Sequence, residues 1–148
     1  MKLLDANILL YAYDSDSTHH RVCRSWLEAA FNADETVALP WQTLLAFVRI
    51  STNSRATRKP LQSAEACSIV SSWLDQVNVS VIGAGDRFWE LLKDQILEAQ
   101  VIGPLVTDAA LAALAIEHGA TLCSVDKDFR RFRRLKLIDP TEVSTLDP

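Results

Sequence analysis

Lys2-Leu3-Leu4-Asp5-Ala6-Asn7-Ile8-Leu9-Leu10-Tyr11 opens with a very short apolar segment, stops at an acid, and resumes as an apolar run. A segment of this kind reads as a buried strand turning into a short helix, because a parallel sheet covered on both faces needs no polar alternation. The same punctuation recurs along the chain. Val37-Ala38-Leu39 is closed by Pro40, Val79 to Ile82 alternates like a strand, Thr121 to Val125 is β-branched, and Leu135 to Ile138 offers a last strand. Apolar residues at helical spacing fill the intervals: Val22 to Phe31 after the caps offered by Asp16-Ser17-Thr18, Trp41 to Ile50, Ala66 to Leu74 after Ser63, and Phe88 to Leu97 after Asp86. Thr107-Asp108 opens an Ala- and Leu-rich helix that ends at His118-Gly119, where a left-handed cap belongs. Short strands alternating with helices predict an α/β domain whose mostly parallel central sheet is covered on both faces.

Composition sets the outer bounds. With 148 residues, 49% hydrophobic and 23% charged, residues 1–148 are expected to form one domain that needs no disulfide or metal staple. Apolar runs fall far short of the ~18 residues that span a bilayer, and Asp5 interrupts any signal-peptide core, so a cytoplasmic protein without a membrane partner is expected. Cys23, Cys67 and Cys123 lack zinc-ligand spacing and are expected as small buried hydrophobes. Trp26, Trp41, Trp73 and Trp89 fall on helical apolar stripes, which predicts core packing. An alternative has Trp26, Phe47, Val48 and Trp73 lining a groove that receives an amphipathic segment. Nineteen acids against fifteen bases give a formal charge of −4, which excludes binding of nucleic acid by bulk charge alone. The bases are concentrated in Lys127 to Lys136 and in Arg49, Arg55, Arg58 and Lys59.

In open parallel sheets, ligands bind outside the carboxyl ends of the strands. Asp5, Asp108 and Asp126 all occupy such junctions, with Asp128 two residues beyond the last. Singly, each has an ordinary use as a helix cap or turn residue. Brought together, they repel and raise one another's pKa unless a cation neutralises them, and a hard divalent ion, Mg²⁺ or Mn²⁺, suits their oxygen ligands. His19, His20 and His118 lie in a polar turn and at a helix C-terminus, where structural roles suffice.

Three blocks carry a resemblance: Leu4 to Ala12, Thr107 to Ala115, and Gly119 to Phe129. In order, spacing and local wording they resemble the motifs of PIN domains, and more narrowly those of VapC-type ribonuclease toxins of bacterial toxin–antitoxin pairs. The resemblance implies a three-layer α/β/α sandwich with a mostly parallel central sheet, a metal-dependent endoribonuclease activity acting on RNA, a VapB-type antitoxin that blocks the site, and a homodimer. It places the metal-binding and catalytic acids at Asp5, Asp108 and Asp126, with Asp128 weaker and Asn7 and Ser124 as groups that hydrogen-bond the ligands. Arg130, Arg131, Arg133 and Arg134 follow directly and are candidate phosphate contacts for RNA.

One position departs from the pattern. Trp41 to Arg49 is similar to the helix that carries a Glu in many PIN domains, and Ala46 stands where the acid belongs. The loss puts a strict two-metal mechanism in doubt and motivates an alternative, a catalytically weak PIN-like module that binds RNA or a partner without cutting. A phosphatase of the haloacid-dehalogenase type ranks below both, since that family expects Asp-x-Asp and position 7 is Asn.

Overall fold

The computed structural model describes residues 1–142. It forms β1 (Lys2–Leu4), α1 (Ala6–Tyr13), α2 (His20–Asn32), β2 (Val37–Ala38), α3 (Trp41–Ser51) and α4 (Ser63–Leu74). There follow β3 (Val79–Ser80), α5 (Phe88–Ala99), α6 (Leu105–Glu117), β4 (Thr121–Cys123), a 3-10 turn over Lys127–Arg131, and β5 (Leu137–Ile138). The five strands form one parallel sheet in the order β3-β2-β1-β4-β5. The chain builds outward from β1 in one direction, then returns to add β4 and β5 on the other side. The point where that order reverses lies between β1 and β4, the place where parallel sheets hold ligands.

Strand alternation divides the core into two. Leu4, Val37, Leu39 and Cys123 point to one face and pack with Ile8, Leu9, Leu27, Phe47 and Trp73 from α1 to α4. Leu3, Ala38 and Leu122 point to the other and pack with Ala109, Ala112 and Ala115 of α6 and with Phe129 and Phe132. The small side chains of α6 let that helix approach the sheet closely. The result is the expected three-layer α/β/α sandwich.

Several element ends differ from the sequence reading. Gly103, at φ +60°, and Pro104 start α6 at Leu105, so Asp108 lies in its first turn instead of capping it. Asp16 to Thr18 form a turn, and α2 begins at His20. β2, β3 and β4 are shorter than their apolar runs because the chain leaves the ladder at the carboxyl edge, as at Pro40, whereas β5 starts two residues into its run. Gly119, at φ +62°, ends α6 as expected.

Three burial expectations are corrected. Cys67 is exposed on the outer face of α4, and Trp41 and Trp89 are 56% and 66% exposed. Helical spacing identifies a stripe but not whether another layer covers it. Trp73 and Phe47 are buried and stack edge-on at 4.6 Å, with Tyr13 against both, so these two are core residues.

Leu4 is fully buried at the centre of the sheet. Leu4→Ala is expected to lower the unfolding free energy by about 2–5 kcal/mol. Urea denaturation checks this, and an unchanged midpoint would contradict the central placement of β1.

Candidate metal centre

The register of β1 on β4 pairs Leu4 with Cys123, and the Asp5 amide continues the ladder by donating to the Cys123 carbonyl at 3.0 Å. Asp5 and Ser124 therefore leave the sheet side by side, although they are 119 residues apart in sequence. The buried Ser124 hydroxyl donates to Asp5 Oδ2 at 2.7 Å. It accepts from Asn7 Nδ2 at 3.1 Å and from the Asp126 amide at 3.0 Å. One hydroxyl thus ties the start of α1 to the turn after β4, and its hydrogen-bonding capacity is filled.

The other acids reach the same cleft from different elements. Asp126 precedes the 3-10 turn and accepts from the Asp128 amide through Oδ1 at 2.9 Å. Carboxylate oxygens of Asp108, Asp126 and Asp128 all lie within 4.8 Å of one another. Asp5, Asn7, Asp108 and Asp126 line a cleft of about 540 Å³, whose opposite wall is α3, through Gln42, Thr43, Leu45, Ala46 and Arg49. That wall is anchored at two points: Thr43 Oγ1 donates to the Leu4 carbonyl at 2.8 Å, and Gln42 Nε2 to the Thr107 carbonyl at 3.0 Å.

Electrostatics mark the cluster as unbalanced. Burial pushes the Asp108 carboxyl up to about 6, and the negative charges of Asp126, Asp5 and Asp128 push the same way, with Arg131 opposing. Burial also raises Asp5, against the pull of the Ser124 hydroxyl and of the Ala6 and Asn7 amides, and Asp126 adds to the rise. Asn7 Oδ1 is buried with no hydrogen-bond partner among the described residues. Repelling carboxylates beside an unpartnered amide oxygen are a donor set that fits a hard, oxygen-seeking cation. No His or Cys belongs to the cluster, so its chemistry does not suit zinc.

Ala46 faces the cleft, as its alignment with the acid-bearing helix position implies, and no acid is among the α3 residues that line it. The arginine segment is more committed than its sequence suggests. Arg130 pairs with Glu142, Arg131 with Asp128 at 3.2 Å, and Arg134 with Asp94 at 3.7 Å, while Arg133 forms no ion pair among the described residues. None of the four lines the cleft. The histidines lie elsewhere: His20 Nδ1 is 2.9 Å from the Tyr11 carbonyl, and His118 Nε2 is 2.8 Å from that of Gly83. Arg49, which does line the cleft, appeared in the sequence only as part of a basic concentration. Its helical spacing of three from Ala46 was the signal that links it to the site.

The class that the fold and site define is a parallel α/β/α sandwich with carboxylates clustered at its switch point, a donor set that fits a divalent cation. The PIN-domain family model matches residues 2–135. Ribonuclease VapC37 of Mycobacterium tuberculosis is 36% identical over 140 residues, covering 95% of this chain and 97% of that protein. Ribonuclease VapC25 of the same organism is 34% identical over 140 residues, covering 95% and 99%. The chain belongs to the PIN-domain family and, within it, to the VapC proteins. Among solved structures it is similar to VapBC-1 from nontypeable Haemophilus influenzae, with TM-score 0.69, 15% identity and 95% and 98% coverage. It is also similar to VapBC2 from Rickettsia felis bound to a DNA fragment from their promoter, with TM-score 0.68, 20% identity and 93% and 96% coverage.

Asp108 gives a signed pH dependence. Without metal, the folded chain binds more protons than the unfolded chain between the ordinary carboxyl value of 3.8 and about 6. Stability from this group therefore falls as pH rises through that window. Asp108→Asn is expected to match the parent near the lower end and to exceed it in stability above the upper end, read by urea denaturation in EDTA. An equal pH slope in both proteins would contradict the charge repulsion at this site.

Proposed function

We propose that this chain is the toxin of a type II toxin–antitoxin pair, a divalent-metal-dependent endoribonuclease that hydrolyses RNA phosphodiester bonds. The observation that carries the reading is the meeting of Asp5, Asp108 and Asp126 in one cleft within a chain that belongs to the VapC proteins. Asp5, Asp108 and Asp126 would hold Mg²⁺, or Mn²⁺ in its place, with Asp128 a weaker contributor. Bound there, the ion would supply Lewis-acid polarisation of a phosphoryl oxygen and ease deprotonation of a water.

The chain's own groups do the rest. Ser124 holds the Asp5 carboxylate in orientation, and Asn7 holds Ser124. Asp126, fixed through its amide by the same hydroxyl, orients the attacking water. Arg131 stands against Asp128 at the rim. With Arg130, Arg133 and Arg134 it forms a basic set outside the cleft that would guide an RNA strand toward it, Arg130 and Arg134 while paired with Glu142 and Asp94. Because α3 offers Ala46 where an acid belongs, the cluster holds one ion firmly. Three acids suffice, since Mg²⁺ commonly takes one or two carboxylates and keeps several waters.

Residues 1–148 act as one nuclease domain in the cytoplasm, paired as a homodimer and silenced by a VapB-type antitoxin. Two observations support this. A solved structure of similar fold, from Klebsiella pneumoniae, is a toxin–antitoxin complex by name. Among the described residues, no helix is long and apolar enough to cross a membrane. The reading of a module that binds without cutting is not favoured, since relatives named as ribonucleases align over 95% of the chain.

Asp108→Asn is expected to reduce cleavage of total cellular RNA in Mn²⁺ by at least about a hundredfold while the fold persists by circular dichroism. Cleavage at the parent rate would sink the assignment. Ala46→Glu is expected to tighten Mn²⁺ binding by about tenfold, measured calorimetrically, because it returns a carboxylate to the cleft wall. Unchanged or weaker binding would show that α3 is too far from the ion to contribute.

A further inference from the structure

We propose that the exposed edge of α3 is the track on which a single-stranded RNA substrate lies, with Arg49 on a phosphate inside the cleft and the Trp41 indole stacked on a base at its mouth. The proposal rests on the ribonuclease reading and names the side chains that hold the substrate.

Trp41, Leu45 and Arg49 are spaced by four residues. They fall within an arc of about 80° and extend about 12 Å along the helix axis. At ~3.4 Å per stacked base, that length accommodates more than one nucleotide. Leu45 and Arg49 line the cleft directly, and Trp41 stands one turn before Leu45 at the carboxyl edge of β2. Leu45 thus joins the lining of the cleft to the exposed indole on the same helix edge.

Charge decides what would lie there. A cluster of carboxylates repels an RNA phosphate, so a cation is needed on the facing wall. Arg49 is the cation among the cleft-lining residues, and it forms no ion pair or hydrogen bond among the described residues. Its fork of donors is uncommitted, unlike those of Arg130, Arg131 and Arg134, each paired with an acid. Trp41 and Leu45 are 56% and 65% exposed, whereas Trp73 is buried. A flat aromatic face left in water on the same helix edge as an uncommitted cation, two turns away, is the combination that stacks bases without reading their sequence. Gln42 is already bonded to the Thr107 carbonyl and serves to hold the width of the cleft.

The test is binding of a fluorescein-labelled short single-stranded RNA to the full chain in EDTA, where no cleavage competes, followed by cleavage in Mn²⁺. Trp41→Ala is expected to weaken binding about 5- to 150-fold, and Trp41→Phe, which keeps an aromatic face, to retain most of it. Arg49→Gln is expected to reduce the slope of log affinity against log salt by about 0.7, and Arg49→Lys to preserve it. The track stands only if both positions respond. Unchanged binding by either Trp41→Ala or Arg49→Gln, with the parent still cleaving RNA, overturns the track and leaves the ribonuclease reading intact. A parent that neither binds nor cleaves RNA removes both. A loss in Trp41→Ala that Trp41→Phe does not restore, with sedimentation shifting to a smaller species, assigns this face to a second copy and overturns the track.

Discussion

The parallel pairing of β1 with β4 is the constraint on which the site depends. It aligns Leu4 with Cys123, so the residues that follow, Asp5 and Ser124, leave the sheet as neighbours. A slip of one residue would turn Leu4 toward α6 and Leu3 toward α1, inverting every apolar side chain of the central strand. Both faces of β1 are buried, so the core itself forbids the slip. Packing thereby sets the position of a carboxylate to within a hydrogen bond, and the Ser124 hydroxyl at 2.7 Å completes the placement.

Around that point the protein concentrates negative charge that it neutralises only in part, through Arg131 on Asp128. Asp108 arrives on the first turn of α6, and Asp126 and Asp128 on the turn after β4. Arg131 is the cation that opposes the rise of the Asp108 carboxyl. The two walls of the cleft differ in character. One is acidic and built from strand ends; the other is α3, whose lining holds Ala46 and Arg49 with no acid. A cleft with anionic oxygens on one side and, on the other, a guanidinium with no partner among the described residues can hold a divalent ion and a phosphate together.

How much of this was legible in the sequence depended on the range of the interaction involved. The strand Lys2–Leu4 and the stop at Asp5 were readable because burial on both faces imposes an apolar run directly on local sequence. Gly119 was readable because a positive φ favours glycine. The start of α6 was misplaced by two residues, since Gly103 and Pro104 turn the chain before the cap signals of Thr107 and Asp108. Trp41 and Trp89 were misjudged because period locates a helix face without saying what covers it.

The sequence by itself determined the element types, the two-sided burial of the sheet and the residue types at the strand ends, all of which follow from short-range periodicity and backbone preference. The meeting of those ends was decided by tertiary structure. Strand order, the β1–β4 register and the docking of α3 through Thr43 on the Leu4 carbonyl involve residues from 15 positions apart, as for Leu122 on Leu137, to 119. So does the engagement of Arg134 by Asp94 of a distant helix, whereas Arg49, in the lining of the cleft, has no ion pair among the described residues. No local pattern encodes which charge finds a partner, because that depends on which surfaces the packed layers bring within a few ångströms of each other.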